Sequence, residues 1–134
     1  VKIGICAVHE VDIIWPEIRD GIQHACEKVP GCGWNAGLYW QMCRSGNGFL
    51  VLVFDGVEIK SASVWRFEAM TFRCLVLFGN DYKSWAEDMH RWANQVALEQ
   101  GAACLIAGGR KGWLRRLRPE TKDDDFFIKV QKNA

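Results

Sequence analysis

Net charge is nearly absent from this chain. Its 17 Lys and Arg stand against 16 Asp and Glu, leaving +1, so no overall field favours nucleic acid or a membrane surface. Long apolar runs are missing too: none approaches the roughly 18–20 residues of a membrane span. The opening Val1-Lys2-Ile3-Gly4-Ile5 has no signal-peptide apolar core followed by a small-residue cleavage site. The absence of an initial Met implies processing or trimming. Of the 6 cysteines, none forms a C-x-x-C pair and none has a His nearby at metal-ligand spacing, which removes the usual zinc arrangements. Ser61, Ser63 and Ser84 lack the context of a nucleophile elbow. His9, His24 and His90 are scattered, and His90 reads as exposed. Repeats and low-complexity segments are absent.

What is present reads as an ordinary globular protein. With 134 residues, 49% apolar and 25% charged, the expectation is one domain, 1–134, with a core of its own. The 7 Trp are expected as core and groove filler. The cytoplasm is the expected location, with Cys6, Cys26, Cys32, Cys43, Cys74 and Cys104 reduced. Cys74 and Cys104 fall in apolar strands and behave there as small hydrophobes.

The organising stretch is 71–110. Residues 71–78 are apolar and β-prone and stop at Gly79-Asn80. Trp85, Met89, Trp92, Ala93, Val96 and Ala97 recur at helical spacing over 85–100, with Asn94 among the polar residues of the other faces. Ser84 to Glu87 fits a capping box, Asp81 is a competing N-cap, and Gly101 suits C′. Residues 102–107 form a second strand. Strand, crossover helix and strand make a right-handed unit with two parallel strands.

Upstream, 2–8 reads as a strand. A helix follows with Asp12 as N-cap and Ile13, Ile14, Trp15, Ile18, Ile22, Ala25 and Cys26 as its stripe, Pro16 being tolerable in the first turn. Residues 35–44 are a short helix with Leu38, Tyr39 and Met42 inward. The continuous apolar run 49–54 reads as a strand covered on both faces. Asp55-Gly56 turns it into a return strand, 57–65. Downstream, 112–118 reads as a short helix, 119–125 as a polar loop and 126–130 as a last strand. The order is β-α-α-β-β-β-α-β-α-β, an α+β fold with a mixed sheet and one parallel βαβ crossover.

That order resembles the GNAT superfamily of acyl-CoA N-acyltransferases. The likeness is carried by the helix at 12–26, the hairpin at 49–59, and the segments 75–80, 85–101 and 104–113. It is nearest to short phage-encoded GNAT-like proteins with a Gly-Arg-x-Gly-Trp segment, here Gly109, Arg110, Gly112 and Trp113. The resemblance implies that acetyl-CoA or CoA is bound where the parallel strands splay beyond Phe78. The pantetheine arm would pair with backbone groups of Leu75, Val76, Leu77 and Phe78 like an added strand. The pyrophosphate would meet N–H groups of Gly79, Asn80, Tyr82 and Lys83 at the helix start. The family signature there is Gln or Arg, two residues, Gly, one residue, Gly or Ala. This chain has Phe78-Gly79-Asn80-Asp81-Tyr82-Lys83-Ser84, which brings the Asp81 carboxylate toward the phosphates.

Transfer to an amine needs a proton acceptor, and Glu68 and Glu58 are the candidates on the central strands. The proton donor is often a Tyr on the last helix; the only tyrosines are Tyr39 and Tyr82. The resemblance implies an acyl-CoA and an amine acceptor as partners. The alternative is an inactive GNAT-fold virion or host-modulating protein, placing it in a virion or the host cytoplasm, with a phage or host protein docking on Trp34, Tyr39 and Trp40. The basic residues Arg110, Lys111, Arg115, Arg116 and Arg118 could grip phosphates. Without aromatic interleaving or a helix-turn-helix, nucleic acid is not an expected partner. Alkylation in denaturant without reductant should modify all six thiols; intact mass showing fewer would count against a reducing compartment.

Overall fold

The computed structural model describes residues 1–28, 33–108, 120–122 and 125–130. Seven strands form one sheet: β1 (Lys2–Ile5), β2 (Phe49–Asp55), β3 (Glu58–Glu68), β4 (Thr71–Gly79), β5 (Cys104–Gly108), β6 (Glu120–Lys122) and β7 (Asp125–Lys129). Their spatial order is β1-β2-β3-β4-β5-β7-β6. Among the described residues only β4 and β5 run parallel, joined by α3 (Ala86–Glu99). Helices α1 (Val11–Glu27) and α2 (Ala36–Arg44) precede β2. The anticipated mixed sheet with one parallel crossover is the fold observed. The expected helix at 112–118, the basic run 110–118 and Cys32 lie outside the described residues.

Each face of the sheet has its own core. Along β2, Leu50 and Leu52 point to one side with Ile18, Ile22, Tyr39 and Met42 of α1 and α2. Val51 and Val53 point to the other, with Trp85, Met89, Ala93 and Ala97 of the α3 region. The alternation is the period of two that a pleated strand imposes. On the α3 face Phe72 stacks between Phe67 at 4.5 Å and Trp65 at 4.7 Å. Trp92 meets Trp65 edge-on at 6.3 Å. Such offset and edge contacts add to the area the rings bury.

Several local expectations are corrected. Strand β1 ends at Ile5 and gives way to a 3₁₀ turn, Val8–Glu10. Asp12 caps nothing; its carboxylate accepts from the Trp40 indole at 2.7 Å and pairs with Arg44 at 3.4 Å, tying α1 to α2. Ile13 is exposed. Leu38 is exposed because the backbone of α2, N-capped by Asn35, turns Tyr39 and Met42 inward instead. Val57 is a turn residue, fully exposed, since Asp55 pairs directly with Glu58. Part of the expected polar loop is β6, paired with β7.

Around α3 neither the capping box nor Asp81 caps the helix: its N-cap is Trp85, without a side-chain cap. A 3₁₀ turn, Tyr82–Ser84, precedes it. Asn94 is buried, not on a polar face. His90 is half-buried with Nε2 lacking a partner, and burial, with Arg91 adding, holds its imidazole below the ordinary value. The far end is as expected: Gly101 has φ +76, and the N–H groups of Gly101 and Ala102 close onto Leu98 and Ala97, a Schellman ending.

Cys6, Cys26, Cys43, Cys74 and Cys104 are thiols. Burial pushes Cys74 up to about 12, against a smaller opposing effect of its contact with Val76. Trp85 is 1% exposed and its indole donates to the Asn80 carbonyl at 2.8 Å. Trp85→Ala should therefore cost about 3–5 kcal/mol in denaturant unfolding. Trp92 is only partly buried, and Trp92→Ala should cost clearly less; equal losses would contradict this packing.

Candidate functional site

The site is built by one unmatched residue. Trp65 pairs with Cys74 and Val64 with Val76, which leaves Leu75 extra in β4. A bulge of this kind bends its strand and disrupts the ladder beside it. On the other side, β5 follows β4 through Thr71, Phe72, Arg73 and Cys74, and its last partner there is Ala107. Gly108 has no partner in β4, although it pairs with Asp125 of β7 on its other edge as the rest of β5 does with β7. Among the described residues the parallel pairing therefore ends at Cys74, beside the bulge. Among the described residues no strand pairs with the β5-facing edge of 75–79.

Leu75, Val76, Leu77 and Phe78 all lie on this open segment. Val76 is buried in the α1–α2 core, with Leu75 and Phe78 packed against it, while Leu77 packs on the α3 side. Helix α1 comes very close to it: a Cβ at Gly21 would lie 2.4 Å from the Phe78 ring. The Tyr39 hydroxyl reaches the Leu75 carbonyl at 3.4 Å, a long contact that leaves the oxygen able to accept a shorter bond. Sequence reasoning did not place Tyr39 here. Trp34, just before the Asn35 cap, contacts Tyr39 at 5.1 Å; such a staple orients the helix entry, and its spacing was the one signal available.

Gly79 is held to glycine by its surroundings. A Cβ there would meet Trp85 at 2.7 Å and the Lys60 carbonyl at 2.8 Å, so no side chain fits at this position. The Asn80 N–H donates to that same carbonyl at 3.0 Å. Asp81 adopts φ 51, and its carbonyl accepts both the Ser84 N–H at 2.9 Å and the Ser84 hydroxyl at 2.7 Å. Asn80, Tyr82 and Lys83 are exposed on this turn. Among the described residues, then, the edge of 75–79 has no strand partner, and the exposed turn follows directly from it.

The two carboxylates are far apart. Glu68 faces Thr71 at the start of β4, roughly 13 Å short of the bulge at about 3.3 Å per residue. It accepts from Arg66 Nε at 2.7 Å and Arg73 Nε at 2.9 Å. Burial pushes its carboxyl up, but these two arginines outweigh that and hold it below the usual range. Glu58 sits at the opposite end of β3, largely exposed, 3.4 Å from Lys60. Neither reaches the bulge. Among the described residues no cluster of His, Cys, Asp and Glu could hold a metal, and no helix is long and apolar enough to cross a membrane.

This architecture is the fold of the GNAT acetyltransferases. Tetrahymena GCN5 matches it with a TM-score of 0.74 at 7% identity, over 100% of this chain and 99% of its own. A GNAT family acetyltransferase from Brucella melitensis, in complex with acetyl-CoA, matches at 0.66 and 12%, over 99% and 90%. The PaiA N-acetyltransferase from Thermoplasma acidophilum, in complex with coenzyme A, matches at 0.60 and 10%, over 98% and 99%. No family profile and no curated protein sequence matches the chain.

The Glu68 cluster carries a pH signature. Because its folded pKa is depressed, its contribution is complete above the unfolded value of 4.5 and is lost as pH falls through the folded value. Glu68→Gln should lower stability at pH 7, and the gap to the parent should close as pH falls below 4.5 and through the depressed folded value. A gap that persists in acid would mean the side chain acts by packing.

Proposed function

We propose that this chain is an acyl-CoA-dependent N-acetyltransferase acting on an amine. One observation carries the reading: the bulge at Leu75 coincides with the parting of β4 and β5, so an edge of backbone groups is exposed inside the sheet. The pantetheine arm of a donor is an extended chain with two amides, and it can join that edge as a strand would. Solved proteins of this fold carry acetyl-CoA or coenzyme A, which supports the same reading. The donor supplies an activated acyl carbonyl.

The chain's own residues orient and exclude. Leu75 to Phe78 hold the arm, and the Tyr39 phenol stands at the bulge from the α2 side. Glu68 lies on that side of the sheet through its contact with Arg73 and is the nearer of the two carboxylates to the bulge, without reaching it. Held ionised by two arginines, it serves as a charge before it serves as a base. A second reading keeps the fold as a scaffold; the exposed faces of Trp34 and Leu38 favour it, whereas Trp40 is engaged with Asp12 and Arg44.

Coenzyme A should raise the melting temperature, by the equivalent of about 2.7 kcal/mol at 100 times its dissociation constant. In a two-dimensional amide spectrum the shifted peaks should centre on 75–79. A Gly79 variant is unsuitable as a control, because the added side chain strikes Trp85. Melting curves unmoved by millimolar coenzyme A and acetyl-CoA would end the enzyme reading and leave the scaffold.

A further inference from the structure

We infer that β1 is a docking edge for a second copy of this chain, the two β1 strands pairing antiparallel about a two-fold axis so that both sheets join into one. Among the described residues β1 ends the sheet, with β2 as its neighbour. The ladder shows which backbone groups are left over. Cys6, next after the strand, donates its N–H to the Leu50 carbonyl at 2.7 Å, and in an antiparallel pair such bonds fall on alternate residues. Lys2 and Gly4 therefore bond β2, while Ile3 and Ile5 direct their N–H and carbonyl groups to the open side. Native edges are usually blunted by charge, proline or a bulge. The opposite edge, β6, is 3 residues long and carries Glu120 and Lys122. Strand β1 has one charge, no proline and no shift of register. Val1, Ile5 and Val8, in and beside it, are about half exposed.

One register suits a second copy. Ile3 packs toward the α3-side core and Cys6 toward the α1–α2 core, so odd and even residues of β1 lie on opposite faces. With Ile3 opposite the partner's Ile3, Val1 falls opposite the partner's Ile5, and the apolar residues form one ribbon on the α3 side. On the other side Lys2 falls opposite the partner's Gly4, so the two lysines do not face each other. Gly4 has no packing task within its own chain: a Cβ there would meet nothing within 4 Å. A glycine inside a strand weakens it, and often marks the close approach of another chain. The stem of the partner's Lys2 fills that space. Burial and, behind it, the Glu10 carboxylate raise the Cys6 thiol, so Glu10 lies just past Gly4 on the same face. Its side chain is 55% exposed and offers the partner's Lys2 an opposite charge.

Sedimentation velocity of the full chain from about 1 to 500 µM tests this. A strand edge of this length makes less than a standard-sized interface, so a dissociation constant of about 10–100 µM is expected. Amide exchange at Ile3 and Ile5 should slow as concentration rises, whereas Gly4 is already protected by β2. Gly4→Lys sets lysines opposite each other twice by symmetry and should weaken the dimer about tenfold. Gly4→Glu is equally free of clashes within the chain, and it should dimerise at least about tenfold more tightly than Gly4→Lys. A chain that stays monomeric throughout overturns the inference. So does a dimer indifferent to the sign of charge at position 4, which would be held by another surface such as Trp34 and Leu38, and so does exchange at Ile3 and Ile5 that ignores concentration.

Discussion

Leu75 is the residue that β4 has and β3 does not match, and the pairing of β4 with β5 stops beside it. A continuous ladder would have satisfied every backbone group of this segment within the sheet. The extra residue instead bends the strand, and the open edge lies between elements packed on both faces, where a polar group without a partner is costly. Tyr39 reaches one carbonyl there. The rest of the architecture holds this irregularity in place: α1 presses Gly21 onto Phe78 from one side, and the Trp85 indole closes the other end of the strand.

The elements themselves were legible because they rest on local chemistry. Alternating burial in β2, the Asp55-Gly56 turn, the periodic face of α3 and the glycine ending at Gly101 are each specified by neighbours in sequence. The site was legible only as a region. A bulge depends on the register of the partner strand, and nothing in the order of Leu75 and its neighbours announces a missing match in β3. The same holds for Asp12, whose partners Trp40 and Arg44 come from the next helix, and for Glu68, whose arginines flank it across a hairpin. Gly79 was correctly singled out for its small size. One reason lies in the tryptophan that follows it and in the Lys60 carbonyl beside it, both set by the tertiary fold.

The two ends of the open strand differ in kind. At the bulge the surroundings are apolar and aromatic, with Tyr39 buried against Trp34. Beyond Gly79 the chain is exposed and carries its own carboxylates. The fold shared with proteins at 7–12% identity therefore tells which strand edge is available, while the particular residues decide how much of a ligand is gripped.

The crowding between Gly79 and Trp85 also constrains descent. The indole occupies the volume in which any Cβ at 79 would lie, 2.7 Å from its ring, and it is tied to the Asn80 carbonyl. A smaller residue at 85 would not release position 79, because a side chain there would still meet the Lys60 carbonyl at 2.8 Å and the Ser61 Cβ at 2.9 Å. In homologous sequences glycine should therefore persist at 79 while the residue at 85 varies.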